Sequence, residues 1–381
     1  MKLLFASDSY KGSLSCGRII ELLTKAAKEV MPDSVCTGIP VADGGEGTVD
    51  AVLSAVGGER IFLNVHGPLM EIVKASYGIF DGNRAIIEMS AASGLPLVPQ
   101  DKRNPLKTTT YGTGEMILDA LRRGCTDITV AIGGSATNDG GMGCLSALGV
   151  VFSNRSGDRL SGRGEDLENV ESIDISGIDP LTERMSLTVM NDVCNPLCGN
   201  NGATRIFGPQ KGATPEMIER LEKGMISYRN AIIRSTGIDP DDIPGSGAAG
   251  GLGAALGILL KGKMKSGVET VLDLVHFDDH LEDTDMVITG EGRADAQSCM
   301  GKVMQGIGLR AKAKGIPVIG LCGSIGDGAE RLYDYGITSL FSIIDKPMTL
   351  EEAMNDAERL YYMSAIRLFR IINDFYPVGR K

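Results

Sequence analysis

Leu3-Leu4-Phe5-Ala6 runs straight into Ser7-Asp8-Ser9-Tyr10-Lys11-Gly12-Ser13. A short apolar run that stops on serine, aspartate and glycine reads as a buried strand delivering a polar loop. The period then changes. Ser15 is a suitable N-cap, and Ile19, Leu22, Leu23, Ala26, Ala27 and Val30 recur on one helical stripe. The same succession returns along the chain. Ile39-Pro40-Val41-Ala42 leads to Asp43-Gly44-Gly45-Glu46-Gly47, with Val49, Val52, Leu53 and Val56 as the next helix face. Ile128–Ile132 leads to Gly133-Gly134-Ser135 and then Asn138-Asp139-Gly140-Gly141. Leu187–Met190 leads to Asn191-Asp192, Met286–Thr289 to Gly290-Glu291-Gly292, and Val318–Leu321 to Cys322-Gly323-Ser324. Strands alternating with amphipathic helices predict an α/β fold with a mainly parallel sheet. Such sheets bind ligands outside the carboxyl ends of their strands, where these glycines and carboxylates sit. One such loop is adequately explained as a turn with an N-cap, whereas six of one composition point to a common site.

Bulk properties narrow the function. The 381 residues suit two domains, and 43% hydrophobic residues supply ample core. Fifty-one glycines are about twice the usual share, which means many tight turns or backbone brought close to ligands. A net charge of −11 argues against nucleic acid and anionic membrane as partners, and no apolar run approaches a membrane span. Met1-Lys2 reaches Ser7 and Asp8 after four apolar residues, which is no signal peptide. Eight cysteines without a C-x-x-C pair read as free thiols, so a cytoplasmic location is expected. Three scattered histidines make a zinc site unexpected.

Other segments read as scaffold. Thr214-Pro215 opens a helix, and Thr349-x-x-Glu352 is a capping box before a long C-terminal helix. The polar stretch Ser153–Asp179 reads as a long loop or small hairpin. Two fingerprints fail on context. Gly245-Ser246-Gly247-Ala248-Ala249-Gly250 matches the dinucleotide pattern but follows Asp239–Pro244, which cannot be a central strand. Gly257-x-x-x-x-Gly262-Lys263 resembles a P-loop, but Met264 stands where magnesium needs a hydroxyl. The loops instead offer glycine amides for phosphates, the carboxylates Asp8, Asp43, Asp192, Glu291 and Asp295 for Mg²⁺ or as a base, and the cations Lys11, Lys211, Arg293 and Lys302. Phosphoryl transfer uses that mixture. No histidine or cysteine stands in a nucleophile–base arrangement.

Seven ordered blocks carry a resemblance. They are Asp8–Ser13, Pro40–Thr48, Asn104-Pro105-Leu106 through Thr110-Tyr111-Gly112-Thr113-Gly114-Glu115, Gly133–Gly141, Asn191-Asp192, Phe207–Ala213, and Thr289-Gly290-Glu291-Gly292-Arg293 through Lys302. Together they resemble the bacterial glycerate kinase family with a flavodoxin-like domain, over essentially the whole chain. Ser7 stands where proline is expected and Tyr10 where phenylalanine is common, both mild departures away from the polar groups. The resemblance implies ATP-dependent, Mg²⁺-assisted phosphorylation of D-glycerate. It favours 2-phosphoglycerate, with 3-phosphoglycerate the alternative product. It also implies a flavodoxin-like domain made by both chain ends, 1–64 and 285–381, with a second α/β domain, 65–284, inserted.

Residue chemistry then suggests roles. Arg293 is a bidentate partner for the substrate carboxylate, the alternative being a surface salt bridge. Asp8, Ser9 and Glu291 join it around the substrate. Lys11 neutralises phosphate charge, or is a solvated turn lysine. Asp192 and Asp295 are the candidates for the base. Asp43 and Asp192 are the candidate metal ligands, with an N-cap as the alternative for Asp43. Gly133, Gly134, Ser135, Asn138, Asp139, Gly44, Gly45 and Lys302 are expected around the nucleotide. Rival readings are an NAD-linked oxidoreductase using Gly245–Gly250 and a non-catalytic ligand-binding protein.

Overall fold

The computed structural model describes residues 1–45 and 47–375, so Glu46 of the second acidic glycine loop lies outside the described residues. The chain forms two compact units, one of residues 1–43, 50–56 and 267–381 and one of 44–49 and 57–266.

The first unit is built on five parallel strands in the order Val35–Gly38, Lys2–Phe5, Met286–Thr289, Val318–Cys322 and Ile337–Ser342. Numbered along the chain, that is the 2-1-3-4-5 order of flavodoxin-like sheets. Met286–Thr289 and Val318–Cys322 are buried at every residue, as central strands covered on both faces must be. Helix Cys16–Val30 begins where Ser15 accepts a hydrogen bond from the Arg18 N–H. Its Ile19, Leu22, Leu23, Ala26 and Ala27 are buried, and they share a core with Leu3, Phe5, Ile288, Leu360 and Phe369. Burying that stripe contributes on the order of 1.5–3 kcal/mol for each large side chain.

The second unit carries a mixed six-stranded sheet in the order Lys263–Lys265, Ser186–Met190, Asp127–Ala131, Arg84–Glu88, Ile72–Phe80, Glu59–His66. The first four strands are mutually parallel, and the last two are joined antiparallel. Ile128, Val130 and Val189 anchor its core with Met116, Ile117 and Tyr228. Thr214 caps helix Pro215–Thr236 as expected.

Three local expectations change. The second strand of the first unit is Val35–Gly38, not Ile39–Ala42. The apolar run is buried all the same, but Pro40 lacks the N–H that a ladder needs, so the pairing falls on the largely exposed edge residues before it. The capping box at Thr349 and Glu352 forms, yet its helix is only Leu350–Asn355, and a break at Asp356 precedes Ala357–Phe375. The breaks between units fall near 57 and 267 rather than at 64 and 284. Glu59–His66 pairs along its whole length with Ile72–Phe80 of the second unit, and Gly267–Leu274 packs against Val303–Ala313 of the first. Around 153–179, Val151–Ser153 and Ser172–Asp174 pair antiparallel, with the helical turn Gly164–Asn169 in the long connection between them.

Candidate active site

Three strand ends of the first unit are tied together by their own backbones. The Asp8 N–H donates to the Gly290 carbonyl at 2.9 Å, and the Gly323 and Ser324 N–H groups donate to the Glu291 and Gly292 carbonyls at 3.1 Å. The Ser7 hydroxyl donates to the Gly290 carbonyl at 2.8 Å, and the Tyr10 hydroxyl to the Leu321 carbonyl at 2.5 Å. Gly290 is required at this crossing, because a Cβ there would lie 1.9 Å from the Leu321 oxygen. The bundled loops open a cavity of about 560 Å³ at the carboxyl end of the sheet. One side of it is polar and brings together Asp8, Ser9, Lys11, Asp43, Glu291, Arg293 and Lys302. The other side is apolar, with Ile343, Ile344, Met348, Leu350, Ala353 and Met354.

Burial sets the electrostatics of the polar side. Desolvation, and then the Asp43 charge, push the Asp8 carboxyl up to about 6, against the Ser9 amide, Lys11 and Lys302. Desolvation pushes Glu291 up to about 7, against a hydrogen bond from Ser298 and the charge of Lys302. Its Oε1 is buried without a hydrogen-bond partner. Crowded, desolvated carboxylates are hard oxygen donors whose mutual repulsion a divalent cation relieves, so this donor set fits Mg²⁺. Among the described residues no three or more histidine, cysteine or acidic side chains are grouped so that they could hold a metal ion together. Mg²⁺ suits such a partial site, because it keeps water and phosphate oxygens in its shell.

Arg293 stands at the mouth, 70% exposed, with Nε 3.1 Å from Asp295 Oδ2. Asp295 is not in the cavity lining. Its carboxylate also accepts from the Gln297 N–H at 2.9 Å, which makes it the cap of the turn Ala296–Cys299. Asp192 belongs to the second unit, where the Ser266 hydroxyl donates to its Oδ1 at 3.0 Å.

The glycine loop after Asp127–Ala131 is also in the second unit. Gly133 and Gly134 present exposed backbone, and a Cβ on Gly133 would meet Gly45 at 3.5 Å, so these expected nucleotide-loop glycines lie side by side. Asn138 and Asp139 do something else. Both side chains are fully buried, so they shape the loop from inside rather than face a ligand. Asp139 accepts from the Thr110 N–H and hydroxyl at 2.7 and 2.8 Å, and from the Gly141 and Gly143 N–H groups at 3.0 and 3.2 Å. Asn138 donates to the Thr204 hydroxyl at 3.1 Å. Beneath the loop lies Lys211, donating to the Ser135 hydroxyl at 2.8 Å and the Thr137 carbonyl at 2.6 Å. Burial lowers it to about 7, against the charge of Asp139.

Gly245–Gly250 follows a turn at Pro240–Asp242, not a strand, so the dinucleotide fingerprint lacks its context. Its last glycine supports the same loop, the Gly250 carbonyl accepting from the Gly140 N–H at 2.9 Å. Sequence reasoning missed the apolar wall of the cavity. Ile343 and Ile344 do follow the strand Ile337–Ser342, so the strand-end rule points there, but Ile-Ile-Asp-Lys-Pro lacks the glycine-rich signature of the other loops.

Comparison with known proteins gives consistent matches. A family model described as the glycerate kinase family matches residues 3–373. The chain is 47% identical over 358 residues to the glycerate 2-kinase of Escherichia coli (strain K12), covering 94% of each chain. It is 46% identical over 366 residues to a glycerate kinase of Bacillus cereus, covering 96% of each. Its structure is similar to the crystal structure of a glycerate kinase 2 from Salmonella typhimurium LT2, with a TM-score of 0.89 at 44% identity, over 98% of this chain and 99% of the other.

Proposed function

The chain belongs to the glycerate kinase family and is a kinase, and from that premise we propose that it transfers the γ-phosphoryl group of ATP to D-glycerate with the help of Mg²⁺. The observation that carries this reading is the polar side of the cavity, where three cations and three carboxylates meet at the strand ends of a flavodoxin-like sheet. Phosphoryl transfer needs positive charge on the phosphates and a carboxylate near the accepting hydroxyl. Asp43, with Asp8 beside it, would hold Mg²⁺ together with phosphate oxygens and water, and the ion would supply charge neutralisation on the phosphates. Asp192, placed in the second unit, is not part of that cavity lining and is kept in this reading as a candidate base. Lys11 and Lys302 take up phosphate charge, while the exposed guanidinium of Arg293 pairs with the glycerate carboxylate. A hydroxyl oxygen of glycerate attacks the γ-phosphorus, the bond to the ADP oxygen breaks, and the hydroxyl proton passes to an aspartate.

The product proposed is 2-phosphoglycerate, supported by the name of the Escherichia coli relative. Purified protein given ATP, Mg²⁺ and D-glycerate is expected to release ADP, with L-glycerate and glycerol much poorer acceptors. ADP release no higher than background would sink the reading. Phosphorus NMR of the product decides the position, and 3-phosphoglycerate would overturn the regiochemistry while leaving the kinase in place.

A further inference from the structure

D-Glycerate has three carbons, a carboxylate and two hydroxyls, so it has nothing to bury against an aliphatic wall. The cavity of the first unit nevertheless devotes a whole side to one. Ile343 is buried there, and Leu350 and Met354 rank among the large hydrophobic residues the chain leaves exposed, Leu350 at 76%. Solvent-facing aliphatic side chains gathered on one wall of a concavity mark a surface that a ligand covers. The volume agrees. About 560 Å³ lies within the range of roughly 300–1,000 Å³ typical of sites for drug-sized ligands, far more than a three-carbon acid fills.

Resting on the reading above, we propose that this wall is the adenine subsite, so that the nucleotide is held by the first unit alone. The base lies on Met348, Ala353 and Met354, and the triphosphate runs from there to Lys11 and Lys302 on the polar side. Of the reactants, only the nucleobase has a flat apolar face, and it needs a wall that adapts to it. Methionine provides that, with its unbranched chain and polarizable sulfur. The lining also offers both sets of groups an adenine nucleotide requires, apolar ones for the base and cations for the phosphates.

Two variants test this. Ala353→Phe fills the wall from a half-buried position, and Leu350→Ala trims it at an exposed one where folding is not at stake. ADP binding is followed by calorimetric titration, which needs no turnover, and KM is measured separately for ATP and D-glycerate. Ala353→Phe is expected to weaken ADP binding and raise KM for ATP by about tenfold or more, and Leu350→Ala by about threefold, with KM for D-glycerate unchanged. Adenosine should compete with ATP in the wild type and lose that ability in Ala353→Phe. Unaltered ADP affinity in both variants, or a rise confined to KM for D-glycerate, would overturn the adenine assignment. ADP binding that Ala353→Phe weakens, in a protein that leaves D-glycerate unphosphorylated, would instead count against the kinase substrate and uphold the subsite.

Discussion

Glu291 holds a buried carboxyl oxygen with no hydrogen-bond partner, next to Asp8, which is itself desolvated. Both keep their protons in the folded protein where an unfolded chain has already lost them, from about pH 4 up to about pH 6 for Asp8 and about pH 7 for Glu291. The folded state binds more protons across that window, so stability falls as pH rises through it. A divalent cation favours the ionised carboxylates and opposes the fall. The urea midpoint of metal-free protein is therefore expected to drop between about pH 5 and about pH 8, with a shallower drop in Glu291→Gln. Added Mg²⁺ should raise the wild-type midpoint more at the higher pH. Equal slopes in wild type and variant, with no Mg²⁺ effect, would show that these carboxyls do not face a cation. At this scale the sequence offered residue types but not their surroundings. Ser7 and Tyr10 read as departures remote from polar groups, yet both hydroxyls donate to strand-end carbonyls. The acceptor for Tyr10 is 311 positions away, which no local pattern announces.

Elements show the same division. Helix stripes and caps depend on neighbours three or four residues apart, and Ser15, Thr214 and the Thr349–Glu352 box form as read. The strand Val35–Gly38 is an exposed edge whose apolar signal is weak, so the reading drifted to the buried run after it. Gly245–Gly250 shows why a motif needs its context: it is a buttress. Gly250 has φ +68°, and a Cβ there would sit 2.1 Å from the Thr137 carbonyl oxygen, inside the loop that Lys211 supports. Gly250→Ala is expected to cost well over about 2 kcal/mol, because strain and a backbone clash act together. Gly124, at φ +93° with open space around it, provides the control, and its alanine variant should cost only the left-handed strain of about 1–2 kcal/mol. Urea unfolding of both variants compares them. Equal losses would mean that the loop yields to the added methyl and is not fixed by Gly250.

Across the whole molecule, chemistry-bearing residues fall into two sets, one in each unit. The central parallel strands were legible because they are continuous buried apolar runs, whereas the return of the chain to the first unit at 267 rests on packing between helices that periodicity does not report. The two candidate bases differ in this way. Asp295, in the first unit, is engaged by the Gln297 N–H and by Arg293, contacts that hold its carboxylate in the turn Ala296–Cys299. Asp192, in the second, accepts from the Ser266 hydroxyl on a loop at the carboxyl end of Ser186–Met190, where α/β sheets meet their substrates. A base acts mainly in the transition state, so its loss lowers kcat far more than it changes KM. Asp192→Asn is accordingly expected to cut kcat by about 10²–10⁴ with little change in KM for ATP and a native circular dichroism spectrum. Asp295→Asn should act differently, since it frees Arg293 and uncaps the turn Ala296–Cys299. Its effect should fall on KM for glycerate and on thermal stability, with kcat largely kept. A large kcat loss in Asp295→Asn alone would move the base to the first unit. If both variants keep nearly full kcat, neither aspartate takes the proton, and catalysis rests on charge neutralisation and positioning by Lys11, Lys302 and Mg²⁺.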